Sequence, residues 1–293
     1  MTGRRVIAVV TLAGSLGLAV AGTAAQFSSG VQLVEVYTSV AGARGEAVTG
    51  LTRDDFAIYE DGVEQDISVF GAGEVPLTVA LGVDRSWSMA GDRLRLSKLA
   101  AQVFLDALKP EDRVMVVAVN SEATVIAPLS TDRVAQRGAI AALDPWSTTA
   151  LGDAIITMLD RLEPEAGRQA LIVFSDGADR YSHATPAQVV ERARRSRALV
   201  YPIVLGRERP PLLENVAAIT GGRSFLLRDA KALEPTLGAI ARELRDQYLL
   251  GYAPRRPIVP GSEEWRSIRV VLKGATAGSR LRARDGYTTE YTR

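Results

Sequence analysis

Hydrophobic patterning divides the chain into three stretches: β, then alternating strand and helix, then β again. Residues 77–83 form a short aliphatic, β-branched run after Pro76, the pattern of a buried strand. Comparable runs at 113–120, 170–174 and 198–205, and a shorter one at 224–227, predict further strands of the same sheet. Between them, apolar residues recur at helical spacing over 94–108, 134–143, 151–162, 186–197 and 211–220, and a long helix begins within 233–250. Pro110 stops the first of these helices and Gly221-Gly222 closes the fifth. Such alternation predicts an α/β fold, a doubly wound and mostly parallel sheet with helices on both faces.

The flanks carry strand patterns without helices. Near the N-terminus, Val31, Leu33 and either Val34 or Val36 mark a first strand, and Gly42, Gly45 and Gly50 mark loops. Residues 56–59 and 63–70 flank Asp61-Gly62, a dipeptide suited to a tight hairpin turn because glycine tolerates positive φ. The acidic residues of this stretch read as solvated loop charges. In the last stretch, 248–252, 267–272 and 280–287 are strand candidates. Arg280, Arg282 and Arg284 alternate with Leu281 and Ala283, which reads as a solvated outer face, since no interleaved aromatics complete a nucleic-acid groove. Because the two β stretches bracket the α/β unit, they are expected to pair as one small flanking β domain. The expected division is 1–25, 26–75, 76–245 and 246–293.

Residues 1–25 carry Arg4 and Arg5, an apolar stretch over 6–20, and small residues at Thr23 and Ala25. That is the layout of a secretory signal peptide. Thr11, Gly14, Ser15 and Gly17 interrupt the apolar stretch, which argues against a membrane anchor. Cleavage after Ala25 predicts an exported protein, periplasmic or secreted, with no membrane span in the mature chain.

Composition narrows the chemistry. The 293 residues are 47% hydrophobic and 24% charged, with 35 Lys and Arg against 34 Asp and Glu. That balance offers no general attraction for nucleic acid or an anionic membrane. The absence of cysteine excludes disulfides, thiol nucleophiles, Cys-ligated zinc and iron–sulfur clusters. His183 is the only histidine, so a His₃ metal site cannot form within one chain, and no G-x-S-x-G accompanies it to supply a nucleophile elbow. It reads as an exposed loop histidine.

What remains is an oxygen-rich constellation. The strand 77–83 ends in Asp84, with Ser86 and Ser88 following at two-residue spacing; Thr149 lies in a loop just before the helix 151–162; Asp176 follows the strand 170–174. Ligands of open α/β sheets gather at the carboxyl ends of strands. If these strands are neighbours, two carboxylates and three hydroxyls converge there, a donor set for a hard cation such as Mg²⁺ or Ca²⁺. Hydroxyls leave such an ion incompletely neutralised, with reason to recruit a carboxylate from another molecule, which is recognition and not a reaction. The simpler alternative for Ser88 is a helix cap. Asp153 reads as a helix-start residue favourable to the dipole, and Asp179 as solvated. Trp87 either stands exposed beside the ion and touches a partner, or packs against a neighbouring loop.

These residues resemble those of von Willebrand factor type A domains. Asp84-Arg85-Ser86-Trp87-Ser88 is similar to the family's first motif, Thr149 before Ala-Leu and a helix to its second, and Asp176 in Phe174-Ser175-Asp176-Gly177 to its third, in the family's order over roughly residues 76–245. The resemblance implies a metal-ion-dependent adhesion site: Ser86, Ser88 and Thr149 contacting Mg²⁺ (with Mn²⁺ or Ca²⁺ as alternatives), and Asp84 and Asp176 acting directly or through water. Many members carry glycines where this chain has Ser147 and Thr148. Outside that region, 51–56, 59–65 and 247–252 resemble a bacterial group of exported proteins with such domains. The expected function is non-enzymatic: an exported module docking a protein or peptide that offers an Asp or Glu carboxylate. The alternative is a metal-assisted hydrolase of phosphoesterase type. Phosphoryl-transfer folds with a strand-end aspartate carry a second one two residues on, where this chain has Ser86, and the nearest lysine, Lys98, lies on a helix. No G-x-G-x-x-G or P-loop supports nucleotide binding.

Overall fold

The protein's structure, a computed structural model, describes residues 33–73, 75–259, 262–274 and 279–289. The expected signal peptide, 1–25, lies outside the described residues. Four strands come first: β1 (Val34–Ala41), β2 (Phe56–Glu60), β3 (Val63–Gln65) and β4 (Ile67–Ala72). The alternating region comprises β5 (Leu77–Asp84), α1 (Asp92–Ala107), β6 (Arg113–Val119), β7 (Ala123–Ser130), α2 (Arg133–Ala141) and α3 (Leu151–Leu162). It continues through β8 (Arg168–Ser175), α4 (Pro186–Arg195), β9 (Leu199–Val204), α5 (Pro211–Ile219), β10 (Phe225–Leu226) and α6 (Leu233–Arg245). Four strands close the fold: β11 (Tyr248–Tyr252), β12 (Trp265–Leu272), β13 (Arg280–Arg282) and β14 (Gly286–Thr288).

The central sheet has the order β10-β9-β8-β5-β6-β7. Every pairing is parallel except β6 with β7. β5 and β8 are buried along their whole length, as continuous apolar runs covered on both faces require. Val79, Leu81 and Val83 pack with α1 and α6, whereas Ala80 packs with α3. Gly82 lets α3 close on the sheet, because a Cβ there would meet the sulfur of Met158 at 2.9 Å. From β5 the chain crosses to β6 on one side and later returns to β8 on the other. The carboxyl ends of β5 and β8 therefore flank a topological switch point.

The structure adds one element and redraws three others. β7 was not expected: it is an edge strand with only Ala127 buried, and Pro128 is tolerated because an edge residue needs no ladder donor. The helix at 233 stops at Arg245, before β11 begins at Tyr248. The expected strand 63–70 is split at Asp66 into β3 and β4, and 280–287 into β13 and β14.

The terminal stretches do pair. One four-stranded sheet runs β13-β1-β11-β4 and the other β14-β12-β2-β3, so each mixes strands from both ends of the chain. Asp61 and Gly62 join β2 to β3 with φ of 47° and 82°, the double positive φ of a type I′ turn. The two sheets enclose one apolar cluster that includes Phe56, Ile58, Tyr248 and Leu250. Glu60 corrects the reading of solvated acids, since it is 3% exposed. It accepts from the Arg266 guanidinium at 3.0 Å and from the Tyr252 and Tyr287 hydroxyls at 2.8 and 2.9 Å. Arg266 also donates to the carbonyls of Arg256 and Pro257. A buried pair is tolerable only when its remaining donors and acceptors find such partners.

Candidate metal centre

The centre is built where β5 and β8 end side by side. Asp84, the last residue of β5, is fully buried. One carboxylate oxygen accepts the Ser86 N–H at 2.9 Å, and the other accepts the hydroxyl of Ser175, the last residue of β8, at 2.6 Å. The first bond turns the chain sharply after the strand, and a 3₁₀ turn at Trp87–Met89 follows. That turn brings the Ser86 and Ser88 hydroxyls within 3.2 Å of each other. Ser88 caps no helix: Gly91 holds the position before α1, which has no side-chain cap.

Backbone bonds draw the Thr149 loop onto this turn. Trp87 N–H donates to the Ser147 carbonyl at 3.0 Å, and Trp146 N–H to the Arg85 carbonyl at 2.7 Å. The Thr149 carbonyl accepts from Arg180 and Tyr181, each at 3.2 Å, fastening the loop after β8 to the loop before α3. Ser86, Ser88 and Thr149 consequently line one cavity of about 220 Å³. Ser147 adopts φ 63° where many members of the resembled family carry glycine, so the serine carries left-handed backbone strain.

Asp176 completes the group. One of its oxygens accepts the Ala178 N–H at 3.1 Å and the other faces Arg93 at 3.1 Å. The same Arg93 nitrogen donates to the Ser88 carbonyl at 2.8 Å. Burial pushes the Asp84 carboxyl above its ordinary pKa; hydrogen bonds from Ser175 and Ser86 oppose the shift, and the nearby charge of Asp176 adds to it. The donors fit a hard divalent cation: they are all oxygen, and two carboxylates are held close enough to repel.

Sequence reasoning missed Arg93, Trp146 and Tyr181. Trp87, Trp146 and Tyr181 are 62%, 60% and 56% exposed around the centre. Asp153 lies in the first turn of α3, and its carboxylate accepts the N–H groups of His183 and Ala184 at 2.8 and 2.9 Å. Burial opposes its ionisation, but those hydrogen bonds prevail and hold its pKa below the usual value. Asp179 is exposed but does more than meet water, because it accepts the Gly152 N–H at 2.9 Å in the opening turn of α3. His183 is exposed, with Nδ1 3.3 Å from Asp153.

The sequence profile of the von Willebrand factor type A domain matches residues 79–178, a span that contains all five oxygen-bearing residues. These residues form a von Willebrand factor type A domain. Inter-alpha-trypsin inhibitor heavy chain H4 from Bos taurus is 25% identical over 135 residues, which is 42% of this chain and 15% of that protein. The chain thus spans less than a sixth of the length of that curated relative. A von Willebrand factor type A structure from Catenulispora acidiphila superposes with a TM-score of 0.52 at 16% identity, covering 87% of this chain and 73% of that one. Proximal thread matrix protein 1 from the mussel byssus, described with a zinc-occupied MIDAS motif, gives 0.52 at 20% identity over 64% of this chain and 50% of its own. At such identities the two structures establish that the type A domain shares their fold. Among the described residues no helix is long and apolar enough to cross a membrane.

Proposed function

We propose that this chain is an exported, metal-dependent protein-binding module that docks a carboxylate-bearing protein or peptide. One observation carries the reading: Asp84, Ser86, Ser88, Thr149 and Asp176 gather at the switch point of the type A domain, with the three hydroxyls on one small cavity. Ser86, Ser88 and Thr149 would touch Mg²⁺, or Mn²⁺ or Ca²⁺ in its place. Asp84, whose oxygens both already accept hydrogen bonds, and Asp176, which also faces Arg93, would supply charge directly or through water. A bound divalent ion held this way supplies an incompletely neutralised charge for a partner's carboxylate. The zinc described in the mussel protein's MIDAS motif supports a metal at this position. Trp87, Trp146 and Tyr181 offer exposed aromatic surface around the ion, suited to a protein partner.

Mg²⁺ should raise the melting temperature of the full chain, and Asp84→Asn or Thr149→Ala should abolish that rise while leaving a cooperative melt. An unchanged Mg²⁺ response in both variants would sink the reading. Release of phosphate from a generic phosphoester, lost in Asp84→Asn, would favour the hydrolase instead.

A further inference from the structure

A second cavity, about 530 Å³, opens between the α/β region and the terminal strands and shares no residue with the metal centre. Its lining holds five arginines (Arg209, Arg223, Arg269, Arg282 and Arg284) against two acids, Glu214 and Asp285. Two of the arginines are paired: Arg209 with Glu214 at 3.5 Å and Arg282 with Glu243 at 2.6 Å. The other three make no ion pair among the described residues. Arg223 lies over the Phe225 ring at 4.2 Å and Arg269 over the Tyr59 ring at 4.3 Å. Among the described residues Arg284 donates to carbonyls, of Gly286 at 2.6 Å and Arg194 at 3.4 Å.

The reading of 280–284 as a solvated arginine face is therefore corrected. The Arg282 side chain is only 23% exposed, and Arg284 is partly buried. β13 leaves the other strands after Arg282, and the chain turns across the end of α5, where the Asp285 N–H donates to the Ile219 carbonyl. Burial lowers the Arg223 pKa, opposed next by the pull of Glu243 and reinforced by the charges of Arg282 and Arg209; burial brings that of Arg284 down to about 10 against the attraction of Asp285. Gathering like charges in a concave, partly desolvated space is costly unless something compensates.

We propose that this cavity binds a small organic polyanion, its oxyanion groups received by Arg223, Arg269 and Arg284. The volume lies within the roughly 300–1,000 Å³ of small-ligand sites. Guanidinium groups match carboxylate and phosphate oxygens in a bidentate fork. Ile268, Val270 and Leu281 add an apolar wall for the ligand's body. Nucleic acid fits less well, because the adjoining rings of Phe225 and Tyr59 are already covered by arginines and cannot stack bases.

Citrate and pyrophosphate, titrated calorimetrically into the full chain in cation-free buffer at constant ionic strength, test the proposal and separate a carboxylate from a phosphate ligand. Saturable one-to-one binding of at least one is expected, weakened about tenfold or more in Arg223→Ala and in Arg269→Ala. Neither side chain makes an ion pair among the described residues, so losing its ring contact should lower the melting temperature of the unliganded variants only slightly, whereas a merely structural role would lower it without weakening anion binding. Arg180→Ala, at the metal centre, should bind as the parent does. No saturable binding of either anion, undiminished binding by Arg223→Ala, or its loss in Arg180→Ala would overturn the assignment.

Discussion

Arg93 is the side chain that alters the electrostatics of the candidate metal centre. It places a cation on Asp176 and on the Ser88 carbonyl, where a divalent ion would also act. The contact is half-exposed on the arginine side, so its contribution without metal is small, about 0.5–1 kcal/mol. Arg93→Ala should lower the metal-free melting temperature slightly and enlarge the rise produced by Mg²⁺, because the competing cation is gone. Melts with and without Mg²⁺ check both halves. Asp84, Ser86 and Ser88 were legible from spacing alone, as the residues directly after a buried run. Arg93 was not: in sequence it resembles Arg95 one residue beyond its neighbour, and only the approach of the first turn of α1 to the end of β8 distinguishes it.

At the scale of elements, the buried cluster of Glu60, Arg266, Tyr252 and Tyr287 joins β2, β12, β11 and β14. Burial, and then the hydrogen bond to Glu60, raise both tyrosine pKa values far above the ordinary value. The folded state therefore keeps protons that the unfolded chain releases above about pH 10. Stability from these groups is complete below that pH and is lost as pH rises, by up to about 1.4 kcal/mol per pH unit for each tyrosine. Urea midpoints measured from pH 8 to 11 should fall steeply for the parent and less steeply for the Tyr252→Phe/Tyr287→Phe double variant. The hairpin feeding this cluster was readable from Asp61-Gly62, whose positive φ values need those residue types. Glu60 was misread because an acid beside a turn looks solvated until its partners, some 200 residues later, are placed beside it.

Across the whole molecule, the terminal sheets and the α/β region share a core. Tyr37 of β1 belongs to the apolar cluster under α1 and α6, and Leu249 of β11 packs against it. Arg168 of β8, 1% exposed, stacks on Tyr37 at 5.3 Å and donates to the carbonyls of Leu244 and Gly73. Calorimetry of the full chain should accordingly show one transition, with equal calorimetric and van't Hoff enthalpies. Two resolved transitions would mean that the terminal sheets fold on their own.

The sequence by itself determined the alternation of buried strands and amphipathic helices, and with it the α/β class. It also determined the oxygen donors at the strand ends, because burial period and residue chemistry are local properties of the chain. Tertiary structure decided which strand ends are neighbours, which charges are buried together, and where several arginines line one cavity. Those depend on contacts across the fold: Ser175 reaching Asp84, Arg93 reaching Asp176, and Arg284 carried to the end of α5. No periodicity within a single segment encodes such pairings, since burial and charge compensation belong to surroundings assembled from distant parts of the chain.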